Sequence, residues 1–129
     1  MITPQQARAL LGKHGVVEPQ ERTDWMGEIP LPDEIARFYE DVGPSDITIT
    51  IAGEHFFFPR LTSLWDAQAG YRYNLLTGAP LPGWNDDWLV IVDRPGNPLL
   101  YSCATGKIVK RTGELAYGGL YELVEALAG

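Results

Sequence analysis

The spacing of apolar residues divides the chain into segments of different period. In "TPQQARALLGKHG" Ala7, Leu10, Leu11 and His14 fall at i, i+3, i+4 and i+7, one face of a helix, with Thr3 placed to cap it and Pro4 at its first position. Gly15 is expected to end it. A second helix is predicted in "LPDEIARFYEDVG": Pro32 opens it, Asp33 and Glu34 complement the positive end of its dipole, and Gly43 suits a left-handed cap. Its inward stripe is Ile35, Phe38, Tyr39 and Val42, which leaves Asp33, Glu34, Arg37, Glu40 and Asp41 facing water.

After "GPSD" the helical spacing gives way to strict alternation. "ITITIA" places Ile47, Ile49 and Ile51 on one face, and "GE" turns the chain into "HFFFP", so residues 46–58 read as a hairpin. A third helix is expected from about Thr62 through "SLWDAQAGYRY", weakened in its second half by Gly70. "NLLTGAPLPGWNDD" is rich in turn formers and reads as a loop. The nearly continuous apolar run "WLVIVD" predicts a central strand covered on both faces, with "PGNP" turning into "LLYSC" and "ATG" into "KIVKR". Leu120, Leu123, Val124 and Leu127 then mark a closing helix. The expectation is an α+β fold, one domain over residues 1–129, with a single mixed, mainly antiparallel sheet flanked by N-terminal and C-terminal helices.

Composition fits this. With 129 residues, 45% hydrophobic and 21% charged, the chain can bury one ordinary core. A single cysteine forms no internal disulfide, the first residues lack the basic start and apolar run of a signal peptide, and no apolar run is long enough to cross a bilayer. A cytoplasmic protein that does not engage membranes is expected.

Charge changes the picture more. Between Glu18 and Asp46 nine acids face only Arg22 and Arg37, so this one segment carries the whole net charge of -7. Such a field repels phosphate backbones and draws in basic partners, which argues against nucleic acid as a ligand; the plainer reading is solubility.

Catalytic chemistry finds little to stand on. His14, His55 and Cys103 have no metal-ligand spacing, so no metal site is expected, and Cys103 reads as a small buried strand residue. Glu40 with Asp41, and Asp86 with Asp87, are sequence neighbours that point apart, so no catalytic pair is assigned. "GYRYNLLTG" lacks the glycine spacing and lysine of a phosphate loop, and no cofactor is expected. The loop "YRYNLLTGAPLPGWNDDW" says more. It mixes Tyr71, Tyr73 and Trp84 with Asn85, Asp86 and Asp87, aromatic anchors ringed by polar groups, as protein interfaces favour. Trp84 is read as a contact and Trp88 as a lid over the sheet. The candidate partner-binding set is thus Asp33, Glu34, Arg37, Glu40 and Asp41 on the second helix, with Tyr73, Trp84, Asn85, Asp86 and Asp87 in the loop.

"IPLPDEIARFYEDVG", "LTSLWDAQAGYR" and "DDWLVIVDRPGNPLLYSCATGKIV", followed by a final amphipathic helix, together resemble the SUKH superfamily over nearly the whole chain. The chain departs from that pattern where relatives often carry an Asp after the hairpin strand and this one has "SCAT", and where a double glycine appears as "PGN". The resemblance implies a mixed α+β fold and a non-enzymatic role. Many bacterial members are similar to immunity proteins that neutralise toxins, often nucleases or deaminases; others resemble intracellular interaction modules. The partner so implied is a basic toxin domain. The alternative is a regulatory or scaffold protein with an endogenous partner. An enzyme acting on a small cationic or carbohydrate substrate in the aromatic loop is a third reading, and would need a concave pocket there.

Overall fold

The computed structural model describes residues 2–129. Thr3 starts helix α1 (Pro4–Gly12) with a reciprocal cap: its hydroxyl accepts the Gln6 N–H at 3.1 Å and its own N–H donates to the Gln6 side chain at 2.9 Å. The helix stops at Gly12, before the expected Gly15, so His14 lies beyond it and is exposed, and the buried stripe is Ala7 and Leu11. Helix α2 (Asp33–Asp41) buries Ile35, Phe38, Tyr39 and the following Val42, as its period predicts. Gly43 ends it with φ +72°, and a Cβ there would fall 1.8 Å from the Glu18 carbonyl oxygen, so only glycine lets the two segments run side by side.

Strands β1 (Ile47–Ile51) and β2 (Glu54–Phe58) form a hairpin about Ala52 and Gly53, both with positive φ. Strands β3 (Trp88–Val92), β4 (Leu99–Ser102), β5 (Ile108–Lys110) and β6 (Leu115–Tyr117) form an antiparallel meander. The α+β architecture is as expected, but the sheet is in two pieces and its ladders are all antiparallel. One bridge joins them, Phe57 to Asp93, with N–H···O distances of 2.9 and 2.8 Å. Helix α4 (Leu120–Ala128) closes the chain. Leu11, Phe38, Tyr39, Ile47, Ile49, Phe58, Leu89, Ile91, Leu123 and Val124 share one core, so both ladders lean on the same helices. Val90 and Leu100 lie opposite each other in register, alternate away from Leu89 and Tyr101, and are also fully buried; β3 and β4 are covered on both faces, as the unbroken apolar run predicts.

The third helix is the main departure. It is a single turn, α3 (Leu61–Leu64), followed by a 3-10 turn (Asp66–Gln68) and Gly70 at φ +84°. Gln68 explains the break. Its side chain is fully buried, donates to the carbonyls of Leu64 at 2.9 Å and Val90 at 3.0 Å, and accepts the Val90 N–H at 2.8 Å. Two hydrogen bonds to β3 and one back to α3 hold the segment against the sheet where a straight helix would carry it away. Arg72 adds two more, from Nη2 to the carbonyls of Trp88 at 2.7 Å and Asp86 at 2.9 Å. Among the described residues no helix is long and apolar enough to cross a membrane.

Candidate partner-binding face

The irregular segment at residues 28–32 runs between two cavities. On one side Pro30, Leu31 and Pro32 line a cavity of about 680 Å³ with Asp33, Glu34, Arg37, Tyr101 and Cys103. On the other, Glu28 and Ile29 line a cavity of about 400 Å³ with Trp65, Arg72, Tyr73, Gly78, Pro80 and Asp86. The start of the acidic helix and the aromatic loop therefore meet on one face. A backbone bond from the Cys103 N–H to the Asp87 carbonyl, 2.9 Å, ties the two sides together.

On the α2 side the acids are partly neutralised by the chain's own arginines. Arg22 reaches Asp33 at 2.7 Å and Glu40 at 3.3 Å, and Arg37 meets Asp33 at 2.9 Å one helical turn away. The Arg22 hydrogen bond holds the Asp33 carboxyl below its ordinary range. Asp46, at the end of the acidic segment, pairs with Arg60 at 2.7 Å, and Asp24 accepts the Glu21 N–H within the 3-10 turn Arg22–Asp24. Among the described residues Glu34 and Asp41 have no ion pair, and both are exposed. Glu34 faces the Tyr101 hydroxyl; burial, and then this carboxylate, push the phenol's pKa well up. Glu40 and Asp41 lie at the last turn of α2, away from the cavity that Asp33, Glu34 and Arg37 border.

On the loop side the aromatic groups support one another. Trp25 meets Trp65 edge-on at 5.8 Å, Trp65 lies 6.2 Å from Tyr73, and Trp84 meets Trp88 edge-on at 5.6 Å. The Arg72 guanidinium sits between Trp65 and Trp84, 5.6 and 6.0 Å from their ring centres. Trp84 is half-buried and its indole N–H is enclosed without an acceptor, so it closes over Trp88 and Arg72 as part of the same lid. The polar residues beside it hold the loop's shape. Asn85 accepts the Asp87 N–H at 2.9 Å, and Asp87 accepts the Ser102 hydroxyl at 2.9 Å and the Ala104 N–H at 3.0 Å. Asp86 stays exposed at the cavity rim, and Tyr73 forms its wall.

The most exposed apolar groups of the face carry no expectation from the sequence. Leu75 is 72% and Leu76 95% exposed. They stand on a turn that Asn74 clamps: its side chain accepts the N–H groups of Leu76 and Thr77 at 2.8 and 3.1 Å, and its backbone bonds to Gly78 and Ala79, both at 2.8 Å. The turn leads into Gly78, in the wall of the aromatic cavity. Met26, 68% exposed, lies two residues before Glu28, which lines the same cavity. The signal was "NLLTG": an Asx turn with two leucines at its tip leaves them nowhere to go but outward.

Cys103 is exposed in the turn after β4, where a buried strand position was expected. Partial burial, then the nearby Asp87, push its thiol pKa up, so the thiol stays protonated and is a poor nucleophile. His55 shares a 2.9 Å hydrogen bond with Thr50 across the hairpin. Among the described residues no three His, Cys, Asp or Glu side chains converge as metal ligands. No family model matches the chain, and no curated protein or solved structure matches it.

Proposed function

We propose that this chain is a protein-binding module of the immunity type, which neutralises a basic toxin domain by covering it with the face shared by α2 and the aromatic loop. The observation that carries the reading is the Leu75–Leu76 turn. Two leucines held in water by a clamped turn do nothing for the fold, whereas a pre-ordered apolar tip loses little entropy on docking. Around it lie the half-buried aromatic groups of the cavity, and the unpaired carboxylates Glu34 and Asp41 give the surroundings a negative bias that speeds encounter with a cationic partner. The resemblance to the SUKH superfamily supports the immunity assignment within this class.

The test is capture from the native cell with the wild type and with a Leu75→Asp, Leu76→Asp variant. A basic protein held by the wild type and released by the variant supports this face as the contact. Expressed alone, that protein should arrest growth, and co-expression with the wild-type chain should restore it. Equal capture by both forms would remove the loop from the interface. A partner harmless on its own would make the chain a regulatory or scaffold module instead.

A further inference from the structure

The two long strand edges of the protein are finished differently. Along β3 the backbone groups that face away from β4 have partners: the Trp88 carbonyl accepts from Arg72 at 2.7 Å, Val90 bonds to the Gln68 amide at 2.8 and 3.0 Å, and Asp93 bonds to Phe57 at 2.8 and 2.9 Å. Along β1 they do not. The two-residue turn at Ala52–Gly53 makes Ile51 and Glu54 the closing hydrogen-bonded pair, so Thr50 with His55 and Thr48 with Phe57 are pairs that do not bond across the hairpin. Phe57 confirms the phase, since its N–H and C=O bond outward to Asp93. The N–H and C=O groups of Thr48 and Thr50 therefore point away from β2, and no backbone group outside the hairpin, among the described residues, bonds to them.

Protein edges left open in this way usually carry a lysine, a proline, a bulge or very few residues. The other open end of the sheet, β6, is three residues long. β1 has five residues, no charge, no proline and no register shift. The nearest charges are already matched: Asp46 pairs with Arg60 at 2.7 Å, and Glu54 with Arg94 at 3.2 Å, so a second copy brought to this edge meets no free like charge from them.

The sequence of the strand also fits itself. "ITITI" reads the same in both directions. We propose that β1 is a dimerisation edge, on which a second copy of the chain pairs its own β1 antiparallel about a two-fold axis through Ile49. Thr48 then faces the partner's Thr50, and Thr50 faces the partner's Thr48, as hydrogen-bonded pairs that satisfy all the open backbone groups of both strands. Ile51, 39% exposed at the hairpin tip, comes opposite the partner's Ile47, near the segment where Val16 stands 60% exposed beside Ser45. Two of the exposed large apolar residues thus lie at the two ends of the same edge. The proposal stands apart from the partner-binding face, whose cavities contain no β1 residue.

A five-residue ladder buries far less than the roughly 800 Å² per partner of a tight complex, so the dimer is weak, with a dissociation constant between about 10 µM and 1 mM. Sedimentation of the purified full chain across that range should show the 14.3 kDa monomer giving way to a species of twice that mass. Thr48→Lys with Thr50→Lys sets lysine against lysine at both pairs and should weaken the dimer about tenfold or more, while both exposed positions tolerate the change and the folded spectrum stays the same. Thr48→Glu with Thr50→Glu should do likewise, and an equimolar mixture of the two double variants should dimerise at least as well as the wild type. A wild type that remains monomeric at about 1 mM overturns the proposal. So does a dimer that the lysine pair leaves unchanged, which would place the contact elsewhere.

Discussion

Helix α2 and the turn at residues 74–79 border the same face, yet they treat their outward side chains in opposite ways. The acids of α2 look in sequence like a continuous negative surface, but Asp33 and Glu40 are gripped by Arg22, and Asp33 again by Arg37. The leucines of the turn look in sequence like unremarkable loop residues, but the clamp built by Asn74 holds them in water. Of these two kinds of exposure, only the apolar one points beyond the molecule. Surface charges find counter-charges within a chain at little energetic gain, so an acidic run is weak evidence for a ligand. Apolar groups held out by hydrogen-bonded backbone work against the hydrophobic effect, so their position needs an external reason.

The largest effect should come from removing the support beneath the loop. Gln68→Leu leaves the Val90 N–H and C=O buried without partners and should cost about 2–4 kcal/mol in urea denaturation. A loss of under about 0.5 kcal/mol would mean that the loop is held by its aromatic contacts alone. Next comes the tip itself. Leu75→Asp with Leu76→Asp should weaken partner binding about hundredfold by calorimetry while moving stability by less than about 0.5 kcal/mol. If the acids contributed as much as the leucines, the contrast would fail.

The α2 side should act on rate. Glu34→Lys with Asp41→Lys should slow association about tenfold at low salt and flatten its salt dependence, leaving dissociation nearly unchanged in stopped-flow or surface-binding traces. The smallest effect is the titration of Asp33. Its carboxyl pKa is lowered in the folded state by Arg22, so its contribution to stability is present above the ordinary carboxylate value and is lost as pH falls through the lowered one. Thermal midpoints of the wild type and Asp33→Asn should therefore differ slightly at neutral pH and low salt, and converge as the pH falls through the lowered carboxyl value. A gap that widens in acid would show that Arg22 does not stabilise the charged form.

How much of this could be read from the sequence depended on whether the cause was local. The stripe of Ile35, Phe38, Tyr39 and Val42 was legible because helical period and burial coincide, and the 46–58 hairpin because alternation and a short glycine turn act within a few residues. The third helix was misjudged because Gln68 looks like one more position on a helical line, while its real partner, Val90, lies 22 residues away. Likewise the Arg22 grip on Glu40 spans 18 residues and leaves no local trace. In the candidate site, Asp33, Glu34, Arg37, Tyr73 and Asp86 do border the two cavities. Trp84, Asn85 and Asp87 keep the loop in shape, because in a segment without regular structure such side chains must replace the hydrogen bonds and packing that a helix or strand would supply.

A side-chain amide that offers both an N–H and a C=O is chemically a peptide unit, and against Val90 the Gln68 amide takes the place that another strand would occupy. It is a stopper in the flank of "WLVIV", the most apolar stretch of the chain. Pulling it out would do more than soften the molecule: heated solutions should turn cloudy, because the vacated slot would be filled by the same stretch from a neighbouring chain before the polypeptide had finished unravelling.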